Sequence, residues 1–157
     1  YLILHGAKIG PYADNEEYFE RYARLYSIGQ SFGVTVSQEN VVLYRSQSVD
    51  FIKKMSDYLG KDFSMTLDLK QCRRAGENPL DFIKSVGEKI DHIHLSDYND
   101  ESDCVPPLEG KEYYEPIIES LRSKGYSGKF IIELYQKNFE KDQQIVDAAV
   151  NFDKILH

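Results

Sequence analysis

The chain has 157 residues, a length typical of a single domain that buries a hydrophobic core. Asp and Glu number 26 against 19 Lys and Arg, which gives a formal net charge of −7, and no basic cluster is longer than Arg73-Arg74. This balance argues against nucleic acid as a partner. The sequence has no signal peptide and no run of membrane-spanning length, and its two cysteines lack CxxC spacing, so we expect a cytoplasmic protein without membrane contact.

The N-terminal third of the chain alternates strand-like and helix-like patterns. Residues 2–5 already form a strand, without an initiating Met, and this predicts that the chain is truncated. Asp14 or Asn15 then caps an amphipathic helix. Residues 34–40 form the second strand, with two valines on one face and Thr35, Ser37 and Glu39 on the other.

The remaining elements continue this alternation. A helix runs from Ser48 to a glycine cap at Gly60, and residues 63–68 form the third strand. We expect a polar loop after Asp68 and then a helix that begins at Asn78-Pro79. The last elements are a strand at 90–97, a punctuated loop at 98–111, a helix from Tyr114, a strand at 130–134 and a closing helix to Leu156.

Five strands that alternate with helices, without a hairpin signal, predict an α/β fold with a parallel sheet. An open sheet covered on both faces would read as nearly unbroken apolar runs, whereas here one strand face is polar. No GxGxxG or GxxxxGK[ST] motif follows any strand. We therefore predict one domain, 1–157, of the parallel β/α barrel type, whose inward residues include Thr35, Ser37, Ser64, Thr66 and His92.

Four strands end in a residue that can ligate a metal: Glu39, Asp68, His94 and Glu133. In a β/α barrel such strand ends converge on one mouth, and three carboxylates with one imidazole suit Mn, Mg, Co or Zn. Taken singly, each carboxylate is as well explained by a helix cap or a salt bridge. His92 lies one pleat deeper, and we expect it to be a core histidine hydrogen-bonded to a neighbour.

These residues resemble the xylose isomerase-like barrels, a family that includes sugar and sugar-phosphate epimerases and endonuclease IV-type repair nucleases. The resemblance rests on four segments that cover most of the chain: VSQENV, LDLKQCRRAGENP, IDHIHLSD and GYSGKFIIELY. They are similar to the strand of the first glutamate, the D-x-x-H-x-x-x-x-G segment, the H-x-H-x-x-D strand and the GY-x-G strand of the last glutamate. The family barrel has eight strands, so the resemblance implies that only the last five are present here.

Carried over, the resemblance makes Glu39, Asp68, His94 and Glu133 the ligands of one divalent ion, with Glu39 and Glu133 catalytic. It also implies that four residues contact substrate: His5, Lys70, Gln71 and Asp97. Gln71 departs from the family, which has histidine there, and acidic Asp100 and Asp103 stand where several ketose epimerases place an arginine. Lys70, Arg73 and Arg74 follow Asp68 and are candidates for holding a phosphate, although a solvated basic turn is an equal alternative.

The leading functional hypothesis is a metal-dependent isomerase or epimerase of a sugar or sugar phosphate, which moves a proton through an enediolate. A polyol dehydratase or lyase of the same fold is the nearest alternative enzyme. A partial barrel that binds a metal or ligand without chemistry is the alternative from another class. We expect a small carbohydrate as the partner, with either a homo-oligomer or a missing N-terminal segment completing the barrel.

Overall fold

A computed structural model describes residues 1–10 and 14–157 as a parallel sheet with its helices packed on one side. The five strands lie side by side in sequence order: β1 (Leu2–Leu4), β2 (Val36–Glu39), β3 (Met65–Asp68), β4 (Ile90–Leu95) and β5 (Lys129–Ile132). The helices are α1 (Asn15–Ser31), α2 (Val49–Leu59), α3 (Leu69–Ala75), α4 (Pro79–Val86), α5 (Tyr114–Ser123) and α6 (Asp142–Ile155). Every neighbouring pair of strands is parallel and is joined through at least one helix, which confirms the α/β class and the β/α-barrel arrangement.

Three helices begin at the caps that the sequence predicts. The side chains of Asp14, Ser48 and Asn78 accept hydrogen bonds from backbone N–H groups in the first turns of α1, α2 and α4. These bonds satisfy donors that have no partner inside the helix. Gly60 ends α2 with a φ of 56°, a conformation that residues with a Cβ rarely adopt.

The prediction of a polar loop after Asp68 is wrong, because helix α3 begins at the next residue. The Asp68 carboxylate caps this helix by accepting a hydrogen bond from the Gln71 N–H at 2.9 Å, and Gly76 ends it in the left-handed conformation. Most residues between these two caps are good helix formers. Seven residues are too few to display an apolar stripe, so the hydrophobic pattern did not reveal the helix.

The hydrophobic core lies between the outer face of the sheet and the helices. Its fully buried members from strands and helices include Val36, Ile52, Met55, Met65, Leu67, Phe82, Ile83 and Ile93. The opposite, inner face of the sheet is polar, as predicted. There the hydroxyl groups of Ser37 and Thr66 form a hydrogen bond of 2.8 Å between β2 and β3. In β3 and in the second half of β4, successive residues therefore alternate between an apolar outer layer and a polar inner layer.

His92 lies on the inner face of β4, and it does not have the hydrogen-bonded neighbour that the sequence predicted. Its two ring nitrogens are buried and have no hydrogen-bond partner among the described residues. The ring instead lies against that of Tyr1, with 4.2 Å between the centroids. A tyrosine face cannot satisfy both nitrogens, so the prediction for His92 was wrong.

Two observations bear on the predicted cellular setting. Within residues 1–10 and 14–157, no helix has the length and apolar character required to cross a bilayer. Cys72 and Cys104 are both buried free thiols. The cytoplasmic location stays a prediction.

The core makes a direct stability prediction for Phe82 of α4, whose side chain is fully buried. In the full-length protein, we expect Phe82→Ala to lower the free energy of unfolding by about 3–5 kcal/mol, because it leaves a cavity as well as removing apolar contact. Phe32 is 81% exposed, and Phe32→Ala is the matched control, with an expected change below about 0.5 kcal/mol. Urea denaturation measures both, and equal midpoints for the two variants would contradict the described core.

Candidate functional site

The candidate site forms because the parallel strands end at the same edge of the sheet. Asp68 and His94 are paired in the β3–β4 register, and Glu39 closes the adjacent strand β2. Glu133 lies just beyond β5, where its N–H donates to the Leu95 carbonyl at 2.9 Å. Each of these four side chains therefore projects from the carboxyl end of its strand, and their ligand atoms all lie within 4.8 Å of one another.

The imidazole of His94 lies at the centre of the group. Its Nδ1 is 3.0 Å from Glu39 Oε1, 3.3 Å from Glu133 Oε2 and 3.9 Å from Asp68 Oδ2. Atoms that share a transition metal at about 2.0–2.2 Å are typically about 3.0–3.5 Å apart. The group thus has the spacing and the hard oxygen and nitrogen donors that a divalent cation requires.

The Asp68 carboxylate supplies a second indication that a cation fits. Its Oδ1 caps α3, whereas its Oδ2 is buried and forms no hydrogen bond within the described part of the chain. A buried carboxylate oxygen without a hydrogen bond is costly unless a cation compensates it. Oδ2 faces the other three ligand atoms, so a bound metal would satisfy it.

The pKa values of the group reflect its crowding. Burial and the neighbouring Glu133 raise the pKa of Asp68 above its usual range. The hydrogen bond from His94 holds the pKa of Glu133 well below its usual range. Burial alone would lower the pKa of His94, but hydrogen bonds to Glu133 and Glu39 outweigh it and raise that pKa to about 9. The free site therefore holds protons at neutral pH that a metal must displace.

His5, which the sequence placed near the site, contacts the first ligand. Its Nε2 is 3.0 Å from Glu39 Oε2, while Glu39 Oε1 faces His94. The Glu39 side chain is 3% exposed and lies between two imidazoles, and the His5 side chain is 60% exposed. His5 thus connects a buried ligand with the open side of the site, and its contact with substrate stays a prediction.

Asn40 is a site residue that the sequence analysis missed. It is buried directly after Glu39, and its amide group clamps the Asp68 backbone: Nδ2 donates to the Asp68 carbonyl at 3.0 Å, and Oδ1 accepts from the Asp68 N–H at 2.7 Å. This pair of bonds fixes the end of β3 against β2. The only sequence signal is an amide residue at a strand end, which is too common to identify a role.

Two predicted substrate contacts lie on α3. Gln71 accepts a hydrogen bond from the Val42 N–H at 3.1 Å through its carbonyl oxygen, and its contact with substrate stays a prediction. Lys70 is 2% exposed, and its Nζ lies 3.1 Å from Glu133 Oε2 and 3.5 Å from Asp68 Oδ2. The Tyr135 ring covers this ammonium at 4.9 Å from the ring centroid. Lys70 is therefore part of the charged centre.

The two arginines of α3 do not form the exposed basic turn or phosphate site that the sequence left open. Arg73 is paired with Glu112, and Arg74 is paired with Asp103 at 2.6 Å and donates to the Tyr135 hydroxyl at 2.9 Å. Each guanidinium is therefore neutralised by a carboxylate. Both connect α3 to the segment that follows β4.

Asp97, the last predicted substrate contact, organises the loop after β4. It is fully buried, and its Oδ1 accepts hydrogen bonds from the N–H groups of Tyr98 and Glu112 at 2.7 and 2.8 Å. Its Oδ2 accepts from the Leu108 N–H at 3.1 Å. Because both oxygens bind backbone amides, we assign Asp97 a structural role in place of a substrate contact.

Comparison with known proteins agrees with the fold described above. A family model described as xylose isomerase-like TIM barrel matches residues 1–154. An uncharacterized protein of Methanocaldococcus jannaschii is 26% identical over 133 residues, which cover 81% of this chain and 47% of that protein. The chain thus spans about half the length of this curated relative.

Solved structures show the same fold at low sequence identity. A D-allulose 3-epimerase from Methylomonas sp. superposes with a TM-score of 0.78 at 13% identity over 97% of this chain and 59% of that one. The IOLI protein, solved with a bound zinc atom, gives a TM-score of 0.76 at 16% identity over 98% of this chain and 61% of that one. These likenesses establish the fold alone.

The hydrogen bonds of Asp97 predict that its loss will loosen the loop after β4. Asp97→Ala removes the acceptor of three backbone amides, each of which costs about 1–3 kcal/mol if it stays buried without a partner. We expect hydrogen–deuterium exchange of the full-length protein to quicken at Leu108 and Glu112. Asp100→Ala is the control, because the Asp100 side chain is 86% exposed. Unchanged exchange in Asp97→Ala would contradict this role.

Proposed function

This chain belongs to the xylose isomerase-like TIM barrel family, and on that premise we propose that the whole protein is a metal-dependent isomerase or epimerase of a sugar or sugar phosphate. The observation that carries the proposal is the convergence of Glu39, Asp68, His94 and Glu133, whose ligand atoms lie within 4.8 Å of one another. Epimerases among proteins of the same fold support this reaction class.

We propose that these four residues hold one divalent ion, Mn, Zn, Mg or Co. A site of one imidazole and three carboxylates does not favour soft, thiophilic metals. The Oδ2 of Asp68, which accepts no hydrogen bond, and the raised pKa of His94 both support a ligand role, since a bound cation would contact the first group and displace the proton of the second.

The reaction that this geometry serves is proton transfer at a carbon beside a carbonyl. The divalent ion supplies the positive charge that makes such a proton acidic enough for a carboxylate to remove. Glu39 and Glu133 are the proton-transfer residues in our proposal, because they come from β2 and from the end of β5, with Asp68 and His94 between them. One carboxylate removes the proton and the other returns it from the opposite side, which inverts the carbon.

The two carboxylates differ in accessibility. The Glu133 side chain is 46% exposed and faces the open side of the site, whereas that of Glu39 is 3% exposed and bonded to His5. Glu133 can therefore meet a substrate proton directly. His5 is placed to relay a proton between Glu39 and the substrate, because its ring touches Glu39 Oε2 and is itself 60% exposed.

We further propose that additional β/α units close the barrel, either from a longer chain or from a second copy. Within the described residues, the outer edges of β1 and β5 pair with no strand, whereas a closed barrel has no such edges. Large apolar side chains at or next to both edge strands are exposed, with Tyr1 64% and Ile131 39% exposed. Substrate specificity then depends on residues from the opposite wall.

The metal site yields a calorimetric prediction for the full-length protein. We expect Mn²⁺ or Zn²⁺ binding to release protons at pH 7, because His94, with a pKa of about 9, is protonated in the free site. Affinity should rise about tenfold per pH unit as the pH increases towards 9, since one proton on His94 competes with the metal. Titrations in buffers of different ionisation enthalpy count the protons.

Two variants and one control test whether the metal binds at the four candidate ligands. Asp68→Ala and His94→Ala should abolish binding, whereas Asp62→Ala, on the exposed turn before β3, should bind like the parent protein. Parental affinity in both site variants would place the metal elsewhere.

The chemical step makes its own prediction. When the full-length protein is incubated with Mn²⁺ and a panel of ketoses and ketose phosphates in deuterated water, we expect deuterium at the carbon beside the carbonyl. Glu133→Gln should stop this exchange, because the amide cannot accept the proton. Glu140→Gln, at an exposed position, is the control. Mass spectrometry and NMR detect the label.

The same assay separates the alternatives. Isomerisation without deuterium uptake would indicate hydride transfer and would overturn the proton-transfer mechanism. Loss of water from a polyol substrate would indicate the dehydratase or lyase. No turnover of any substrate by a protein that binds the metal would favour the binding module.

A further inference from the structure

Lys70 is the one cationic side chain of α3 that enters the charged centre, and the proton-transfer mechanism does not use it. It is 2% exposed, and a buried ammonium group is rare unless it is paired. Its Nζ donates to Glu133 Oε2 at 3.1 Å and lies 3.5 Å from Asp68 Oδ2. Both oxygens belong to the candidate metal ligands, so Lys70 and a metal would share them.

The Lys70 Nζ lies to one side of the group of ligand atoms. It contacts Asp68 and Glu133, but the structure gives it no ion pair with Glu39, and the Tyr135 ring lies 4.9 Å from it. The Lys70 ammonium therefore approaches the ligand oxygens from one side. It does not fill the space between the four ligand atoms.

With Lys70 included, the net charge of the site matches the charge of a divalent cation. Glu39, Asp68 and Glu133 carry three negative charges when ionised, and the Lys70 ammonium compensates one of them. Two negative charges remain, which is the charge that a divalent cation neutralises. A buried site is most favourable when its charges cancel, because uncompensated charge is costly in a low-dielectric surrounding.

We propose that Lys70 is a positioning residue, a fixed internal cation that holds the ligand oxygens of Asp68 and Glu133 and matches the charge of the site to a divalent metal. This inference rests on the proposed function and deepens it. Lys70 compensates negative charge on two ligands, so these ligands would hold a divalent ion less tightly and would leave more of its positive charge to act on a substrate carbonyl. In this proposal, Lys70 lowers the affinity of the site for the metal and raises the rate of the catalysed step.

A phosphate-binding or direct substrate role for Lys70 fits the structure less well. The ammonium is buried, it is engaged by two carboxylates and it is covered by an aromatic ring. A substrate phosphate would have to displace a carboxylate to reach it. The fixed contacts with Asp68 and Glu133 favour an internal role.

The test uses the full-length protein with Lys70→Met, a substitution that keeps length and apolar character but removes the charge. We expect Mn²⁺ to bind about tenfold more tightly by calorimetry, since a repelling charge a few ångströms away has been removed. We expect kcat at saturating Mn²⁺ to fall about tenfold or more. A merely structural loss would weaken metal binding, so the opposite directions distinguish the two roles.

Lys137→Met is the matched control. The Lys137 ammonium also faces the Tyr135 ring, at 6.0 Å, but forms no ion pair with the ligands, so its removal should leave Mn²⁺ affinity and kcat unchanged. Lys70→Arg keeps the charge and should restore affinity towards that of the parent protein. Weaker or unchanged Mn²⁺ binding in a folded Lys70→Met protein would overturn the inference.

A second measurement tests the match between the charge of the site and the charge of the metal, and it does not depend on turnover. The ratio of Tb³⁺ to Mn²⁺ affinity should rise about tenfold in Lys70→Met, because the site then matches a trivalent ion. Lys70→Gln serves for this measurement if Lys70→Met fails to fold, and an unchanged ratio in either folded variant would also overturn the inference. If the parent protein binds no divalent metal, the proposed function fails. If it binds Mn²⁺ but the variants leave both affinities unchanged, only the Lys70 inference fails.

Discussion

The candidate site depends on one electrostatic constraint, which is the repulsion among three carboxylates brought together at the ends of parallel strands. Glu39, Asp68 and Glu133 reach the same small volume because neighbouring strands run in one direction and their carboxyl ends lie at one edge of the sheet. Like charges this close raise one another's pKa values unless cations compensate them. His94 and Lys70 provide part of that compensation, and a divalent metal would provide the rest.

Asp68 and Asp97 show how hydrogen bonding separates a functional carboxylate from a structural one. Both are buried, at 1% and 0% exposure; Asp68 is the last residue of β3, and Asp97 lies two residues beyond the end of β4. Asp97 gives both oxygens to backbone N–H groups and thereby fixes a loop. Asp68 gives one oxygen to α3 and leaves the other without a hydrogen bond, facing the site. Burial alone does not distinguish the two residues, whereas the carboxylate oxygen without a hydrogen bond does.

The sequence predicted those features that depend on local periodicity. Strand alternation predicted the inner and outer faces of the sheet, and the shared parity of Glu39, Asp68 and His94 predicted that these three candidate ligands would lie together. The short helix α3 was missed because seven residues show no stripe, and with it the true position of Lys70. Asn40 and Asp97 act through contacts with residues distant in the chain, such as Asp68 and Leu108, which no local pattern encodes.

The location of the candidate site in one part of the sheet bears on how barrels of this kind change their substrate specificity. All four candidate ligands, the internal cation Lys70 and both proposed proton-transfer carboxylates come from the described strands β2 to β5 and the segments that follow them. The inner face beyond β1 and β5 is open in this chain, so the opposite wall of the proposed barrel must supply the remaining contacts with a substrate. Under the proposed function, the charged centre could stay constant while that wall changes, so the wall would decide which substrate is accepted.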